Sequence, residues 1–179
     1  MSEVRIASRY ARSLYSKAAE SGAVETVAED MTNLAAVLKE SRDLNLFLES
    51  PLISRLDKKA AIAKIFSSFG QDSRSLFELM TERGRESLLP YVAQEFTRIY
   101  NSENKITEAT VTSAAPLEDS TQKTIVEFIK SRTGAGKVLL NIHTDQSLIG
   151  GLTILFDGKI YDSSILSQIK KLKKELNLA

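Results

Sequence analysis

Apolar residues in the first part of the chain recur at helical spacing. Near the N-terminus they return every three or four residues, which places them on one face of a helix. This core stripe consists of Ala7, Ala11, Leu14 and Ala18. Comparable patterns follow one another to about Asn104, separated by short polar breaks that contain glycine or proline. Residues 1–104 are therefore predicted to form an all-α bundle of six helices.

Several helix ends carry residues with capping chemistry. Ser54, with Asp57 three residues on, resembles a capping box at the start of the fourth helix. Asp72 or Ser73 is predicted to cap the fifth helix. Gly84 suits the left-handed residue that ends the same helix. These positions predict short connections between neighbouring helices.

From Lys105 onward the pattern mixes strands with helices. Alternation over residues 138–143 has a period of two, which predicts a strand with one well-buried face. Further strands are predicted over 105–113 and 152–156, and helices over 116–132 and after Asp162. Residues 105–179 are therefore expected to form a small α+β unit of about three strands and two helices.

The loop regions of this second part contain two turn signals. Gly150 and Gly151 provide backbone freedom that no residue with a Cβ has, so the chain can turn tightly or approach another backbone there. Asp157-Gly158 is a hairpin turn signal. Asp162 then offers an N-cap oxygen to the last helix. The predicted order is strand, kinked loop, strand, turn and helix.

Three segments carry a family resemblance. They are Ala7-Ser-Arg-Tyr-Ala11, residues 76–90, and residues 137–162 with Leu148-Ile149-Gly150-Gly151 at their centre. Together they resemble the delta subunit of bacterial and chloroplast F-type ATP synthase, whose mitochondrial counterpart is the oligomycin-sensitivity-conferring protein. The resemblance covers essentially the whole chain, in the right order and at the right length. It implies the same fold, a helical bundle followed by a small α+β unit.

The resemblance also implies a mechanical function. Proteins of this family tie the F1 headpiece of ATP synthase to the peripheral stalk, so that the headpiece does not turn with the rotor. Their helical domain receives N-terminal helical segments of alpha subunits, and their C-terminal region engages the b-subunit stalk. The resemblance therefore implies a stator component that is not an enzyme, held by its partners at the cytoplasmic face of the bacterial inner membrane.

A second stripe runs beside the core stripe of the first helix. It consists of Ile6, Tyr10, Ser13 and Lys17. Leu79 and Arg83 lie similarly beside the apolar side of the fifth helix. Periodicity alone fits either a wide apolar arc, ordinary for a bundle helix, or an exposed groove that accepts an amphipathic partner helix. The resemblance favours the groove and implies alpha-subunit contacts at Ile6, Tyr10, Ser13, Leu79 and Arg83, with Gly150 and Gly151 shaping the part that binds the b stalk.

Composition and charge limit the function classes. The 179 residues include 24 basic and 23 acidic side chains and no cysteine. This balance argues against a polyanionic partner, and the absence of cysteine excludes disulfides, a thiolate nucleophile and a cysteine metal site. No apolar run approaches the roughly 20 residues that span a bilayer, so we expect membrane association only through partners.

Candidate catalytic and ligand-binding residues are few. His143 is the only histidine and has no evident carboxylate cluster near it, which favours a structural or solvent-facing role. Gly134-Ala-Gly-Lys137 superficially resembles a phosphate loop, but it precedes a strand and lacks two residues of that motif. Four lysines near the C-terminus fit a solvated helix face or a binding patch: Lys170, Lys171, Lys173 and Lys174. We therefore predict no catalytic residue, metal or cofactor.

Two other classes of function stay open from the residues alone. A nucleic-acid-binding accessory factor fits a helical domain followed by a small α+β unit, although such proteins usually show a basic stripe. An enzyme could use carboxylates that only the fold brings together. Neither alternative is favoured by a motif in this chain.

Overall fold

The computed structural model describes the backbone of residues 3–175 and the side chains of residues 3–173. The chain divides into two compact units, residues 1–100 and 101–179. The first unit is helical and the second combines a sheet with helices, so the predicted α+β class and its order along the chain are confirmed.

Six α-helices form the first unit within the described residues, together with a short 3₁₀ helix at Glu86–Leu88. They are α1 (Glu3–Ser21), α2 (Val24–Glu40), α3 (Arg42–Glu49), α4 (Arg55–Ile65), α5 (Gln71–Glu82) and α6 (Leu89–Glu103). The core stripe of α1 is buried as predicted, from Ala7 to Ala18. Its three alanines let neighbouring helices pack closely against α1, and the rings of Phe66 and Phe77 fill the core with an edge-to-face contact at 5.3 Å.

The predicted ends of α4 and α5 are confirmed at two positions. Ser54 Oγ accepts a hydrogen bond from the Asp57 N–H at 3.2 Å, which caps α4. Gly84 has a φ of +64° and ends α5. Its N–H donates to the Thr81 carbonyl, and the Arg85 N–H donates back to the Met80 carbonyl at 2.8 Å. This is a Schellman turn, which aims the chain away from the helix axis after α5.

The predicted cap at the start of α5 is wrong. The helix begins at Gln71 with Gly70 as its N-cap residue, and Asp30 of α2 holds this end by accepting from the Gly70 N–H at 2.9 Å and from Ser73 Oγ at 2.6 Å. Asp72 is free of the capping role and bonds to Ser21 Oγ instead. A cap supplied by another helix leaves no signature in the local sequence, so neighbouring Asp72 and Ser73 were the wrong candidates.

The second unit contains four strands in its described part. Its elements are β1 (Ile106–Ser113), α7 (Asp119–Thr133), β2 (Lys137–Thr144), β3 (Leu152–Phe156), β4 (Lys159–Asp162) and α8 (Ile165–Glu175). The strand order is β2-β1-β3-β4, with β1 parallel to β2 and the other pairs antiparallel. The expected three strands omitted β4, which pairs with β3 across a two-residue turn. Asp157 and Gly158 both have positive φ, as a primed hairpin turn requires.

One face of the sheet packs against α7. Val111 and Ile154 are register partners on this face, and Ile125 and Ile129 of α7 cover them. The prediction of a well-buried face on β2 is wrong, because β2 lies at the sheet edge and none of its residues is buried. Ile142, the register partner of Val111, is 37 % exposed. An edge strand has only one neighbour to shield it, which the alternation of residues does not reveal.

Candidate functional site

A groove between α1 and α5 brings together most of the predicted alpha-binding residues. It has a volume of about 310 Å³. Its lining consists of Ile6, Arg9, Tyr10, Ser13, Leu76, Leu79 and Arg85. Four of these residues come from the sequence prediction, and Arg9, Leu76 and Arg85 are additions.

The groove has an apolar floor that the bundle does not cover. Leu76 is 7 % exposed and belongs to the core, whereas Leu79, nearly one turn later, is 42 % exposed. Ile6 and Tyr10 are half-buried on α1, beside the fully buried Ala7 and Ala11. The two predicted stripes of α1 therefore face different surroundings, the core and the groove. A concave apolar strip between two helices is the surface that an amphipathic helix covers.

Arg83 does not line this groove, and Arg85 does. Arg83 is the C-cap residue that follows Glu82, the last residue of α5, and it is exposed. The Schellman turn at Gly84 then redirects the chain, and Arg85 Nη1 donates to Tyr10 Oη at 3.0 Å. Its guanidinium carbon also lies 5.9 Å from the centroid of the Tyr10 ring. Helical periodicity places Arg83 one turn after Leu79, but α5 ends at Glu82, so Arg85 rather than Arg83 reaches the groove. The glycine at position 84 is the sequence signal for this change of direction.

A polar cross-link outside the groove joins the same two helices. Lys17 Nζ lies 3.2 Å from Asp72 Oδ1, and Ser21 Oγ donates to Asp72 Oδ2 at 2.8 Å. These bonds, the one from Ser21 first, lower the pKa of the Asp72 carboxyl. Lys17 therefore pairs with a carboxylate rather than presenting a charge to the groove.

Gly150 and Gly151 lie where the loop after β2 meets the start of α8. Gly151 has a φ of +74°, and a Cβ there would lie 2.4 Å from the Ser163 carbonyl oxygen. A Cβ on Gly150 would lie 2.5 Å from Cδ1 of Ile165. The Ile165 N–H donates to the Gly150 carbonyl at 3.0 Å. The two glycines therefore let the loop pack directly on the first turn of α8.

An exposed apolar face surrounds this junction. Ile165, Ile169 and Leu172 follow one another at helical spacing on α8 and are 42, 38 and 56 % exposed. Ile149, next to the glycine pair, is 63 % exposed and has a φ of +66°. Ile149 is not among the site residues predicted from the sequence. A positive φ on a β-branched residue is a rare conformation, and such strained positions cluster at functional sites.

The remaining candidates do not form a chemical site. His143 is exposed on β2. Gly134 is the left-handed residue that ends α7, so residues 134–137 connect this helix to the start of β2. Lys170, Lys171 and Lys173 are exposed on α8, and the side chain of Lys174 lies outside the described residues. Among the residues described, no group of three or more His, Asp or Glu side chains could hold a metal ion. Across the same residues, no helix is long and apolar enough to span a membrane.

Comparison with known proteins agrees with the resemblance. The ATP synthase delta (OSCP) subunit family matches residues 6–176. The ATP synthase subunit delta of Chlorobium phaeovibrioides is 36 % identical over 98 % of this chain and 97 % of its own length. The corresponding subunit of Christiangramia forsetii is 31 % identical over 98 % and 95 %.

A solved structure shares the fold. A chain of the Toxoplasma gondii mitochondrial ATP synthase hexamer superposes with a TM-score of 0.75 at 20 % identity, covering 97 % of this chain and 98 % of that one. The match extends through both units. Together with the family match over nearly every residue, these relatives show that the chain belongs to the ATP synthase delta (OSCP) subunit family.

Proposed function

We propose that this chain is a stator subunit that links the F1 headpiece of an F-type ATP synthase to the peripheral stalk. Family membership supports this role. The observation that carries the proposal is the uncovered apolar groove between α1 and α5. Its function is mechanical: it holds two parts of the enzyme together against rotor torque and contributes no catalytic group of its own.

The helical unit is the part that binds the headpiece. In this proposal, N-terminal helical segments of alpha subunits lie in the groove, with apolar side chains against Ile6, Tyr10 and Leu79. Four residues of α1 line it, from Ile6 to Ser13, and they extend over roughly 10 Å or two helical turns. A partner helix of that length presents two or three apolar side chains to the floor, enough for a compact binding hot spot.

The C-terminal unit is the part that binds the b stalk. Its exposed apolar face, from Ile149 to Leu172, is available for a helix of the stalk. Gly150 and Gly151 act indirectly, because they seat the loop that carries Ile149 on α8. The subunit is held at the cytoplasmic face of the bacterial inner membrane through these partners.

Titration of the full-length chain with a synthetic alpha-subunit N-terminal peptide tests headpiece binding. Leu79→Asp places a charge on the apolar floor, so we expect at least about tenfold weaker binding, or 1.4 kcal/mol. Tyr10→Asp should act in the same way. Leu52→Asp is the matched control, since Leu52 is 93 % exposed on the same unit and outside the groove. Unchanged affinity in both groove variants would move the capture site elsewhere, for example to the depression between α4 and α5 lined by Ile62 and Phe77.

Stalk binding is tested separately with the same full-length chain. Leu79→Asp should leave binding of the b subunit unchanged, whereas Gly151→Val should weaken it and leave peptide capture intact. This division is expected because the two substitutions lie in different compact units. Loss of both activities in either correctly folded variant would contradict the division of labour.

A further inference from the structure

The charges lining the groove have one sign. Arg9 and Arg85 are its ionisable cationic side chains, and no carboxylate is among the lining residues. None of the ion pairs between described residues involves Arg85. An apolar floor beside the guanidinium of Arg85, which forms none of these ion pairs, is complementary to a partner that is apolar on one face and acidic at its edge.

Arg85 is held in place before any partner arrives. The Schellman turn at Gly84 directs it toward α1, and Tyr10 fixes it through the 3.0 Å hydrogen bond and the ring contact. A guanidinium has five N–H donors, and the bond to Tyr10 uses one of them. Because Tyr10 is neutral, the hydrogen bond orients the positive charge without cancelling it.

The charge is also asymmetric along the groove. Lys17 and Asp72 neutralise each other outside the groove, beyond Ser13 along α1, whereas the Tyr10–Arg85 contact lies among the lining residues. The two cross-links lie seven residues apart along α1, about 10 Å at 1.5 Å per residue. A helix lying along α1 therefore meets the guanidinium of Arg85 beside Tyr10, and a neutralised ion pair about two turns further on.

We propose that Arg85 determines which helices the groove accepts, by binding an aspartate or glutamate at the edge of the partner's apolar stripe. The partner's apolar side chains contact Ile6, Leu76 and Leu79, and its carboxylate receives two N–H bonds from the planar guanidinium. Tyr10 is a positioning residue that holds Arg85 at the groove edge. This inference rests on the proposed capture of an alpha-subunit helix by the same groove.

The contact is expected to be strong because of where it lies. Beside an apolar floor, covered by the bound helix, the two charges are poorly screened compared with a surface pair. Arginine and tyrosine are also enriched among the residues that dominate binding energy at interfaces. A partner with a neutral or basic residue opposite Arg85 would cover the guanidinium without supplying a carboxylate. Such a partner should bind more weakly, which makes the groove selective for acidic helices.

Calorimetric titration of the full-length chain with the alpha N-terminal peptide tests the inference. Arg85→Gln should weaken binding by about tenfold or more. The control is Arg42→Gln, which removes the same charge from the exposed start of α3, and its affinity should stay within about twofold of the unsubstituted chain. A second peptide, with Gln and Asn in place of its Glu and Asp residues, should bind the unsubstituted chain and the Arg85→Gln variant equally. Circular dichroism checks that each variant is folded.

Two further variants separate charge from structure. Tyr10→Phe keeps the ring but removes the bond to Arg85, so binding should weaken by less than in Arg85→Gln. Arg85→Lys keeps the charge and should restore part of the affinity, with binding that still falls as salt rises. If Arg85→Gln binds both peptides as the unsubstituted chain does, while Leu79→Asp binds neither, charge selection is wrong and groove capture stands. If the unsubstituted chain fails to bind the peptide, both proposals are wrong.

Discussion

The Nζ atom of Lys58 lies 2.5 Å from Oε1 of Glu86 in the interior of the helical unit. Lys58 is 4 % exposed and Glu86 6 %. Lys58 Nζ also donates to the Leu48 carbonyl at 2.7 Å, so the pair joins the end of α3, the first turn of α4 and the 3₁₀ helix before α6. Glu86 Oε2 is buried without a hydrogen-bond partner in the described structure. The Lys58 ammonium group is thus the main partner that offsets the cost of burying the charged Glu86 carboxylate.

Replacing Lys58 with Met should strongly destabilise the helical unit. It leaves the Glu86 carboxylate buried and unpaired, which typically costs about 3–5 kcal/mol. The neighbouring Lys59 is the control. Its hydrogen bonds to Glu78 and Glu82 raise its pKa to about 12, but its side chain is 38 % exposed, so Lys59→Met should change stability much less. Urea unfolding measures both. Adding Glu86→Leu to Lys58→Met should recover stability; equal losses for Lys58→Met and Lys59→Met would contradict the argument.

Gly151→Ala should destabilise the C-terminal unit more than Gly150→Ala. At Gly151 the positive φ costs an L-residue about 1–2 kcal/mol, and the new Cβ also meets the rigid Ser163 carbonyl. At Gly150 the obstacle is the end of the Ile165 side chain, which can rotate away. Gly136→Ala is the control, because its nearest neighbour is the Lys105 carbonyl at 3.9 Å and its φ is not positive. Thermal unfolding measures the melting temperature of the three variants. If Gly151→Ala lowered it least, the explanation from backbone conformation and the Ser163 carbonyl would be wrong.

Ile149→Asn should separate stability from stalk binding. Asparagine adopts a positive φ more readily than a β-branched residue, so the melting temperature should stay the same or rise. Binding of the b subunit should weaken, because an exposed apolar anchor is lost. Ile160→Asn makes the same chemical change at a 69 % exposed site on β4 and should leave binding unchanged. If Ile149→Asn lowers the melting temperature and binds the stalk normally, Ile149 is structural.

Asp162 should make the start of α8 sensitive to acid. Hydrogen bonds from Ser167 Oγ at 2.5 Å and then from the Ser164 N–H at 2.8 Å lower the pKa of its carboxyl. A lowered pKa in the folded state stabilises the fold above the unfolded-state pKa of about 3.9, and this contribution disappears as pH falls through the folded-state pKa. Asp162→Ala should therefore melt below the unsubstituted chain at pH 7. The difference in melting temperature between the two chains should shrink below about pH 4. If it stayed constant from pH 7 to below pH 4, ionisation of Asp162 would not contribute to stability.

Local sequence determined the features that depend on contacts within one or two helical turns. The helical period of 3.6 residues places Ala7 and Ala11 on one stripe of α1 and Ile6 and Tyr10 on the next. This separation does not depend on what packs against either stripe. Capping by Ser54 and the left-handed end at Gly84 follow from the chemistry of single residues. These features therefore predicted the helical unit and the two stripes of α1, while the choice between a wide apolar arc and a groove rested on the family resemblance.

Tertiary structure decided the features that join residues distant in the chain. Asp30 caps α5 across 40 positions, and Arg85 reaches Tyr10 across 75. β2 is an edge strand because of the order in which the strands assemble, and the alternation of its own residues is the same at an edge or in the centre. Periodicity describes one element at a time, whereas these contacts depend on how elements pack. For that reason the sequence left the groove as one of two interpretations, and only the fold showed that α1 and α5 form it and that Arg85 is among its lining residues.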